Sequence, residues 1–316
     1  MSCYHPLLYI QSDCLSLDTG KPVGKIIPWI PPENRITEDH YRYIEVPCGK
    51  CIGCRLDYAR TWATRMSLEA SLYPPEEVFF ITLTYDDAHL PIVAKNGTVS
   101  STLVKRDVQL FMKSLREAIY PNRIRFFASG EYGDKTNRPH YHLIIFGLKL
   151  DDLSFYKKSQ NFIYYNSPFI ERIWSKGFVV VTLANYQTMN YTARYVVKKL
   201  RGADSSIYSL SGIMPPFALM SNRPGIGAGA YDPSYFDKSC IILPGGKSAS
   251  IPRYFKKIFE RLDPAAYSNY TQRNLIAAEI SQSNILKYIS SYDDYLNRCE
   301  FVKNSAINFL NSTKKL

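Results

Sequence analysis

Residues 130–147 read GEYGDKTNRPHYHLIIFG, and their pattern predicts a β-hairpin. The segments on either side of the turn, residues 123–129 and 140–146, are short and mainly apolar, β-branched or aromatic, as strands are. Residues 133–139 between them contain glycine, asparagine and proline, which favour turns. We therefore expect two antiparallel strands joined by a loop.

Two histidines share one face of the second predicted strand. Because strand side chains alternate in direction, His140 and His142 project to one side and Tyr141 to the other. Glu131 lies near the end of the preceding strand, where hairpin pairing can bring its carboxylate beside the imidazoles. Two histidines and one carboxylate make a three-ligand site with open positions, which a catalytic metal needs. A hydrogen-bonded histidine pair without a metal is the alternative.

The composition narrows the class of protein. The chain has 316 residues, a formal net charge of +11 and 25 tyrosines, and Lys and Arg exceed Asp and Glu most strongly in residues 186–261. A basic, tyrosine-rich surface suits phosphate backbones and unstacked bases. No segment has the pattern of a membrane span or a secretion signal. We expect a nucleic-acid partner and no membrane, with an ordinary basic protein as the alternative.

Three cysteines lie close together in the segment PCGKCIGC, as Cys48, Cys51 and Cys54. A C-x2-C turn directs two thiolates at one ion, and the doubled turn here offers a third sulfur. The seven cysteines lack the spacing of a disulfide framework, which predicts a reducing compartment.

A structural zinc site would need a fourth ligand. The candidates are Cys3, His5, Cys14 and His40. Tyr58 stands where an iron–sulfur run would need a further cysteine, which weakens that interpretation. Three free thiols at the start of a helix are the alternative to zinc.

The remaining elements predict an α+β fold. Strands are expected at residues 41–46, 78–85 and 178–183, and helices at 55–72, 102–119 and 170–174. Residues 78–85, VFFITLTY, are apolar almost throughout, which predicts burial on both faces. This order of elements predicts a central antiparallel sheet with flanking helices packed on one side.

The two ends of the chain show weaker patterns. Residues 1–39 are rich in proline and lack periodicity, so we expect an extension wrapped on a core. Residues 264–316 have weak helical periodicity and no recognisable chemistry. In the helix at 55–72, the arginines Arg55, Arg60 and Arg65 could contact phosphate or simply be solvated.

A second chemical pattern is NYTARYVVKKL at residues 190–200. Tyr191 and Tyr195 are four residues apart on a predicted helix, so their phenols share one face, with Lys198 and Lys199 one turn further. A phenol is a weak nucleophile at its pKa of about 10. A metal that polarises a phosphate and a nearby ammonium would both assist it. Two such tyrosines would allow two successive phosphoryl transfers; ordinary packing of paired tyrosines is the alternative.

VFFITLTY, RPHYHLIIFG and the Tyr191–Lys199 helix, in this order, look like the three motifs of the HUH rolling-circle replication initiators. More narrowly, the chain resembles the replication initiators of microviruses, especially the gokushovirus branch. The early PCGKCIGCR, the paired tyrosines and RPGIG at residues 223–227 add to this closer match.

The resemblance implies a domain plan and a site. A nuclease core, ferredoxin- or RRM-like, would occupy residues 75–202, after a cysteine-rich extension with a helix at 1–74 and before a basic and helical region at 203–316. His140 and His142 would bind Mg2+ or Mn2+, with Glu131 resembling the carboxylate that completes the site in some relatives. Tyr191 and Tyr195 match the alternating nucleophiles, and Lys199 or Lys198 matches the accompanying lysine.

The resemblance also implies a reaction. Tyrosine attack would cut one strand at the phage origin, leave a 3′ hydroxyl to prime synthesis and hold the 5′ phosphate until the strand is rejoined. The setting would be the host bacterial cytoplasm, with single-stranded and origin DNA as substrate and host helicase and polymerase as partners. In LPGGKSAS, residues 243–250, the phosphate-binding pattern would need glycine where Ile241 stands, so we expect no nucleotide cofactor.

Two other functions fit parts of the pattern. A 2-His-1-carboxylate iron oxygenase would use the same three ligands, but it would not need the basic segment or the paired tyrosines. A zinc-dependent nucleic-acid-binding protein without catalysis would use the cysteines and the charge but not the histidines.

Overall fold

The structure is a computed structural model that describes residues 3–18, 22–30, 35, 41–133, 136–159, 162–197, 206–289 and 291–313. Within these ranges it does not describe the side chains of residues 22, 41, 195–197, 286 and 309–313. Contacts between Cα atoms divide the chain into two compact units. The terminal unit comprises Met1–Asp57 and Ala265–Leu316, and the central unit comprises Tyr58–Pro264.

The described strands and helices are numbered in chain order. The strands are β1 Leu7–Leu15, β2 Pro22–Ile27, β3 Tyr41–Val46, β4 Val78–Tyr85, β5 Ile92–Lys95, β6 Thr98–Ser101, β7 Arg125–Tyr132, β8 Pro139–Phe146, β9 Ser154–Ser159, β10 Phe162–Asn166, β11 Gly177–Leu183, β12 Phe217–Met220, β13 Ile241–Leu243 and β14 Lys247–Ala249. The helices are α1 Ile52–Ala70, α2 Lys105–Ala118, α3 Pro168–Trp174, α4 Tyr186–Val197, α5 Ser206–Ser211, α6 Ser234–Lys238, α7 Arg253–Leu262, α8 Pro264–Leu286 and α9 Tyr292–Thr313.

A seven-stranded antiparallel sheet forms the centre of the central unit, in the order β12-β7-β8-β4-β11-β10-β9. The predicted hairpin is present as β7 and β8, and the predicted strand at residues 78–85 is β4 with the same bounds. Together with the helices that flank this sheet, these elements confirm the predicted α+β fold. The hairpin lies beside β4, so the histidine strand β8 is bordered on both edges.

Helices cover both faces of this sheet, so the prediction of helices on one side was wrong. On one face, Phe79, Ile81 and Leu83 of β4 pack in a core with buried residues of α2 and α3. On the other face, Val78 and Phe80 pack in a second core with residues of α1 and α4. The continuous apolar run of β4 is the reason, because each of its alternating faces requires a covering layer.

The terminal unit contains a second antiparallel sheet, in the order β2-β1-β3. The expectation that residues 1–39 lack regular strands was therefore wrong. Leu8 is the one fully buried side chain described in β1, so the alternation that usually marks a strand is weak there. Trp29 packs against Tyr292 of α9 with ring centroids 5.8 Å apart, so both ends of the chain contribute to this unit.

The loop that contains RPGIG is fastened to α1. Arg65 stacks on Trp62 and Tyr254, at 4.2 and 4.3 Å from the ring centroids, and its Nε donates to the Ile226 carbonyl at 3.0 Å. Arg65 is thus half-buried in a structural contact, and neither the phosphate nor the solvated interpretation describes it. In the part of the chain that the structure describes, no helix combines the length and apolar character that crossing a membrane requires.

Candidate active site

The strand register of the sheet brings the predicted histidines and glutamate together. In the pairing of β7 with β8, Glu131 lies opposite His140 and Ser129 lies opposite His142. In the pairing of β4 with β8, Thr84 lies opposite His140 and Thr82 lies opposite His142. Paired residues of neighbouring strands project to the same face, so these side chains form one polar group at the end of the face that α1 and α4 cover.

The histidines are held by hydrogen bonds on both sides. Nε2 of His142 lies 2.9 Å from Oε1 of Glu131, and both residues are only 5% exposed. Nδ1 of His142 lies 3.1 Å from the Thr82 hydroxyl, and Nδ1 of His140 lies 2.9 Å from the Thr84 hydroxyl. Each imidazole therefore directs its Nδ1 towards β4 and keeps its Nε2 for the site.

Sequence reasoning did not single out the two threonines. A signal for them exists, because the T-x-T of VFFITLTY has the same period as the H-x-H of β8. Two alternating pairs on adjacent strands must face each other if the strands pair in that register. The register itself, with Thr82 opposite His142, is a property of the folded sheet.

The surroundings of His140 keep its imidazole neutral. Burial, the neighbouring His142 and the charge of Arg138 all lower the pKa of His140 below its ordinary value. Gly133 leaves room for the ring, since a Cβ at this position would lie 2.9 Å from Nε2 of His140. A neutral imidazole is the form that can donate its lone pair to a metal.

Helix α4 brings a tyrosine to the same place. Its start is fixed by a reciprocal cap in which the Thr188 amide donates to Asn185 Oδ1 at 3.0 Å and the Asn185 amide donates to the Thr188 hydroxyl at 2.9 Å. Met189 and Ala193 are buried against the sheet. Tyr191 lies between them in sequence, with its ring edge-on to that of His142 at a centroid distance of 5.4 Å.

Tyr191 is reachable from outside, because it remains 46% exposed while its ring contacts His142 and Phe80. Tyr195 lies four residues later in the same helix, and the structure does not describe its side chain. Lys198 and Lys199 lie outside the described residues. The described group is therefore Glu131, His140, His142 and Tyr191.

A groove of about 710 Å³ lies at the other end of β7. Its lining includes four arginines, Arg116, Arg123, Arg125 and Arg223, and one acid, Glu69. Glu69 is engaged by Arg125, whose Nε donates to it at 2.6 Å, so the groove is positive on balance. Arg125 is six residues from Glu131, which on an extended strand corresponds to roughly 20 Å.

The predicted cysteine cluster is assembled in the terminal unit. Sulfur atoms of Cys3, Cys48, Cys51 and Cys54 all lie within 4.8 Å of one another, so the group could hold a metal ion such as zinc. Among the other candidates for the fourth ligand, His5 pairs with Glu300 at 2.6 Å, Cys14 is exposed, and His40 lies outside the described residues.

The environment acts differently on the four thiols. Burial raises the pKa of Cys3 to about 11, and it also raises that of Cys54. Burial acts in the same direction on Cys51, but backbone amides of Cys54 and Tyr4 donate to its sulfur and bring its pKa down to about 7. The cluster therefore combines desolvation with donors that favour thiolate.

Comparison with known proteins shows the family. The family model for the replication-associated protein ORF2 matches residues 78–200, which include β4, β7, β8 and most of α4. The chain is 36% identical to the replication-associated protein ORF2 of Spiroplasma virus 4, over 79% of this chain and 80% of that protein. It is 31% identical to the replication-associated protein VP4 of Bdellovibrio phage phiMH2K, over 79% and 78%.

A further relative, the replication-associated protein ORF4 of Chlamydia phage 1, is 30% identical over 78% of this chain and 62% of its own length. No solved structure matches the chain significantly. The resemblance to microvirus replication initiators that the sequence indicated is thus confirmed. The chain belongs to the family of replication-associated proteins of microviruses.

Proposed function

We propose that this protein initiates rolling-circle replication by nicking single-stranded DNA at the viral origin and later rejoining it, in the manner of the HUH endonucleases. One observation carries the proposal most directly: the ring of Tyr191 lies 5.4 Å from that of His142, which is hydrogen-bonded to Glu131. A candidate nucleophile and candidate metal ligands from separate elements thus share one face of the sheet. Membership of the replication-associated family supports this direction.

The donor atoms suit a divalent cation such as Mg2+ or Mn2+. With its proton on Nδ1, each histidine can donate to a threonine hydroxyl and direct the Nε2 lone pair into the site. His140, His142 and Glu131 would then supply two imidazoles and a carboxylate, with positions left for water and phosphate. When bound, such a cation would supply polarisation of the scissile phosphate.

Tyr191 would act as the nucleophile. Its phenolate oxygen would form a bond to phosphorus while the bond from phosphorus to the 3′ oxygen breaks. The phenol proton would pass to solvent, and the 3′ oxygen would take up a proton to become a free hydroxyl. Because the phosphotyrosine ester retains the energy of the cleaved bond, attack by a 3′ hydroxyl would rejoin the strand without a nucleotide cofactor.

Tyr195 would be the second nucleophile, on the basis of its four-residue spacing from Tyr191 in α4. Lys198 or Lys199 would favour the phenolate, on the basis of their spacing from the tyrosines. The nuclease core would comprise residues 75–202. The arginine groove would hold phosphates of the same DNA, since guanidinium groups bind phosphate well. The protein would act in the cytoplasm of the host bacterium, with host helicase and polymerase extending the strand.

The test is a covalent adduct between the full chain and single-stranded origin DNA in the presence of Mn2+, measured on a denaturing gel. We expect the wild type and the control Tyr120→Phe, a change at an exposed tyrosine beyond α2, to form the adduct equally. Tyr191→Phe and Tyr195→Phe should each leave part of it, and the double variant should leave none. An adduct in the double variant would show that the nucleophiles are wrongly assigned.

A companion measurement separates cutting from binding. His140→Ala should abolish the Mn2+-dependent adduct but largely retain affinity for single-stranded DNA, because Lys and Arg dominate binding to phosphates. Full cleavage by this variant would contradict the metal role. Tight binding by the wild type without any adduct would instead favour the alternative of a zinc-dependent DNA-binding protein, for which the cysteine cluster is the supporting observation.

A further inference from the structure

We propose that Cys3, Cys48, Cys51 and Cys54 together bind one structural Zn2+ ion, which fastens the start of the chain to the end of β3 and to the first turn of α1. All four residues belong to the terminal unit, apart from the candidate active site. The proposed nicking reaction does not use them.

The positions of the sulfur atoms are those of a site for a single ion. Cys48 and Cys54 have sulfurs 4.0 Å apart, and those of Cys51 and Cys3 are 3.9 Å apart. With a Zn–S distance of about 2.3 Å, sulfurs at the corners of a tetrahedron lie about 3.8 Å apart. All four sulfurs lie within 4.8 Å of one another, so small shifts would complete the tetrahedron.

Backbone amides point at the sulfurs. The amides of Lys50 and Cys51 donate to Cys48 Sγ at 3.4 and 3.3 Å, in the tight turn between the first two cysteines of the motif. The amide of Cys48 donates to Cys3 Sγ at 3.3 Å, and that of Tyr4 donates to Cys51 Sγ at 3.4 Å. Donors of this kind stabilise thiolates, and the thiolate is the form of cysteine that binds metals.

The four cysteines lie where three parts of the terminal unit meet. β1 and β3 are paired so that Leu7 lies opposite Val46. Cys3 precedes this end of β1 by four residues, and Cys48 follows this end of β3 by two. Cys51 and Cys54 lie at the start of α1. One ion would therefore join the beginning of the chain, an end of the sheet and a helix.

The terminal unit has little else to hold it together. Apart from Cys3 and Cys51, its described residues include only three buried apolar or aromatic side chains, those of Leu8, Tyr270 and Leu296. A small unit with so few buried side chains commonly needs a metal or a disulfide, and binding of the metal then contributes directly to folding. The seven cysteines, all within the described residues, are free thiols, which leaves the metal as the cross-link.

The ligand set indicates both the metal and its role. Four thiolates in tetrahedral reach suit zinc or a single iron and disfavour the oxygen-seeking Mg2+ or Mn2+. Four protein ligands fill the coordination sphere of zinc, so no position remains for a substrate. The ion would therefore be structural, and its effect would extend to α9 through His5, which pairs with Glu300 at 2.6 Å.

The test begins with the metal content of the full chain, purified under reducing conditions from cells supplied with zinc and measured by elemental mass spectrometry. We expect about one zinc per chain in the wild type and in the control Cys14→Ser, which changes an exposed cysteine of the same unit. Cys51→Ser should retain at least about tenfold less zinc. Equal zinc in Cys51→Ser and wild type would overturn the proposal, as would stoichiometric iron in place of zinc.

A second measurement on the wild type does not depend on how the variants fold. Metal-free, reduced protein should bind one Co2+ per chain with the intense visible bands and thiolate charge-transfer absorption of a tetrahedral sulfur site. Added Zn2+ should remove these bands and protect the amides of β1 and β3 from hydrogen exchange. Failure to bind either ion would overturn the proposal, and so would binding that leaves exchange in β1 and β3 unchanged.

Discussion

The hydroxyl of Thr84 lies 2.9 Å from Nδ1 of His140, and one step along the same strand pair Thr82 lies 3.1 Å from Nδ1 of His142. Each histidine on β8 thus has a threonine partner on β4. Such a partner fixes both the tautomer and the orientation of the ring. The two threonines would therefore prepare both Nε2 atoms for the cation that we propose.

We predict that Thr84→Val weakens use of the metal. Valine keeps the branched shape but removes the hydroxyl, so the Nδ1 proton of His140 loses its acceptor and the ring is less well oriented. The Mn2+ concentration that gives half-maximal DNA adduct should rise about 10- to 100-fold, which is typical for loss of a hydrogen bond behind a metal ligand. Titration of adduct formation with Mn2+ measures this.

Two matched variants sharpen this experiment. Thr84→Ser retains the hydroxyl and should keep half-saturation near the wild-type value. Thr98→Val makes the same chemical change at an exposed position in β6 and should have no effect. A wild-type Mn2+ requirement in Thr84→Val would show that the threonine does not prepare His140.

We predict that His140 makes the central unit less stable at acidic pH when no divalent cation is added. Burial, His142 and Arg138 lower its pKa in the folded state, so the unfolded chain binds more protons once the pH falls below about 6.5. The contribution of neutral His140 is therefore present above that pH and is lost as the pH falls through the lowered folded pKa. His140→Asn should reduce the dependence of stability on pH in this range.

Urea unfolding at a series of pH values measures this contribution. Trp29 lies in the terminal unit, whereas Trp62 and Trp174 lie in the central unit. In a Trp29→Phe background, fluorescence therefore reports the central unit alone. A pH dependence identical in the two proteins would mean that His140 has an ordinary pKa when folded.

The candidate site could be predicted from sequence to the extent that it depends on alternation and turn chemistry. The period of two in β8 placed His140 and His142 on one face, and the turn residues between the strands placed Glu131 beside them. Thr82 and Thr84 have the same period but were missed, because the partner strand and its register are set by packing across the whole sheet.

Contacts that join distant parts of the chain carry no local signal at all. Arg65 stacks between Trp62, one turn away on α1, and Tyr254, which is 189 residues further along the chain. Only the first of these contacts has a helical spacing that a sequence can show. The sheet of the terminal unit escaped prediction for a related reason, since β1 buries little and its order depends on pairing with β2 and β3.

We predict that Glu69→Ala strongly destabilises the central unit. Glu69 is 2% exposed, and its two oxygens accept from Arg125 Nε at 2.6 Å and from the Gly227 amide at 2.6 Å. Removal of one partner from a buried ion pair leaves the other charge and the amide unsatisfied. Because Arg125 is partly exposed, we expect the lower end of the usual cost, about 3 kcal/mol.

Glu117→Ala is the matched control for this loss. Glu117 also pairs with a cation, Lys113, but at 3.7 Å on the exposed face of α2. Its removal should change the free energy of unfolding by less than about 0.5 kcal/mol. Urea unfolding in the Trp29→Phe background compares the two, and equal effects would contradict a structural role for the buried pair.

We predict that Gly227→Ala destabilises the central unit more than Gly97→Ala does. Both glycines have positive φ, +82° and +76°, so alanine at either position costs about 1 kcal/mol of backbone strain. A Cβ at Gly97 would meet nothing within 4 Å, whereas a Cβ at Gly227 would lie 2.9 Å from the Arg65 carbonyl oxygen. To relieve that contact, the loop would have to move away from α1 and loosen the bond from the Gly227 amide to Glu69. We therefore expect about 1–3 kcal/mol of additional loss in Gly227→Ala, measured by urea unfolding in the Trp29→Phe background. Equal losses in the two variants would mean that backbone strain alone explains the glycine, and that the close approach of the RPGIG loop to α1 contributes nothing to stability.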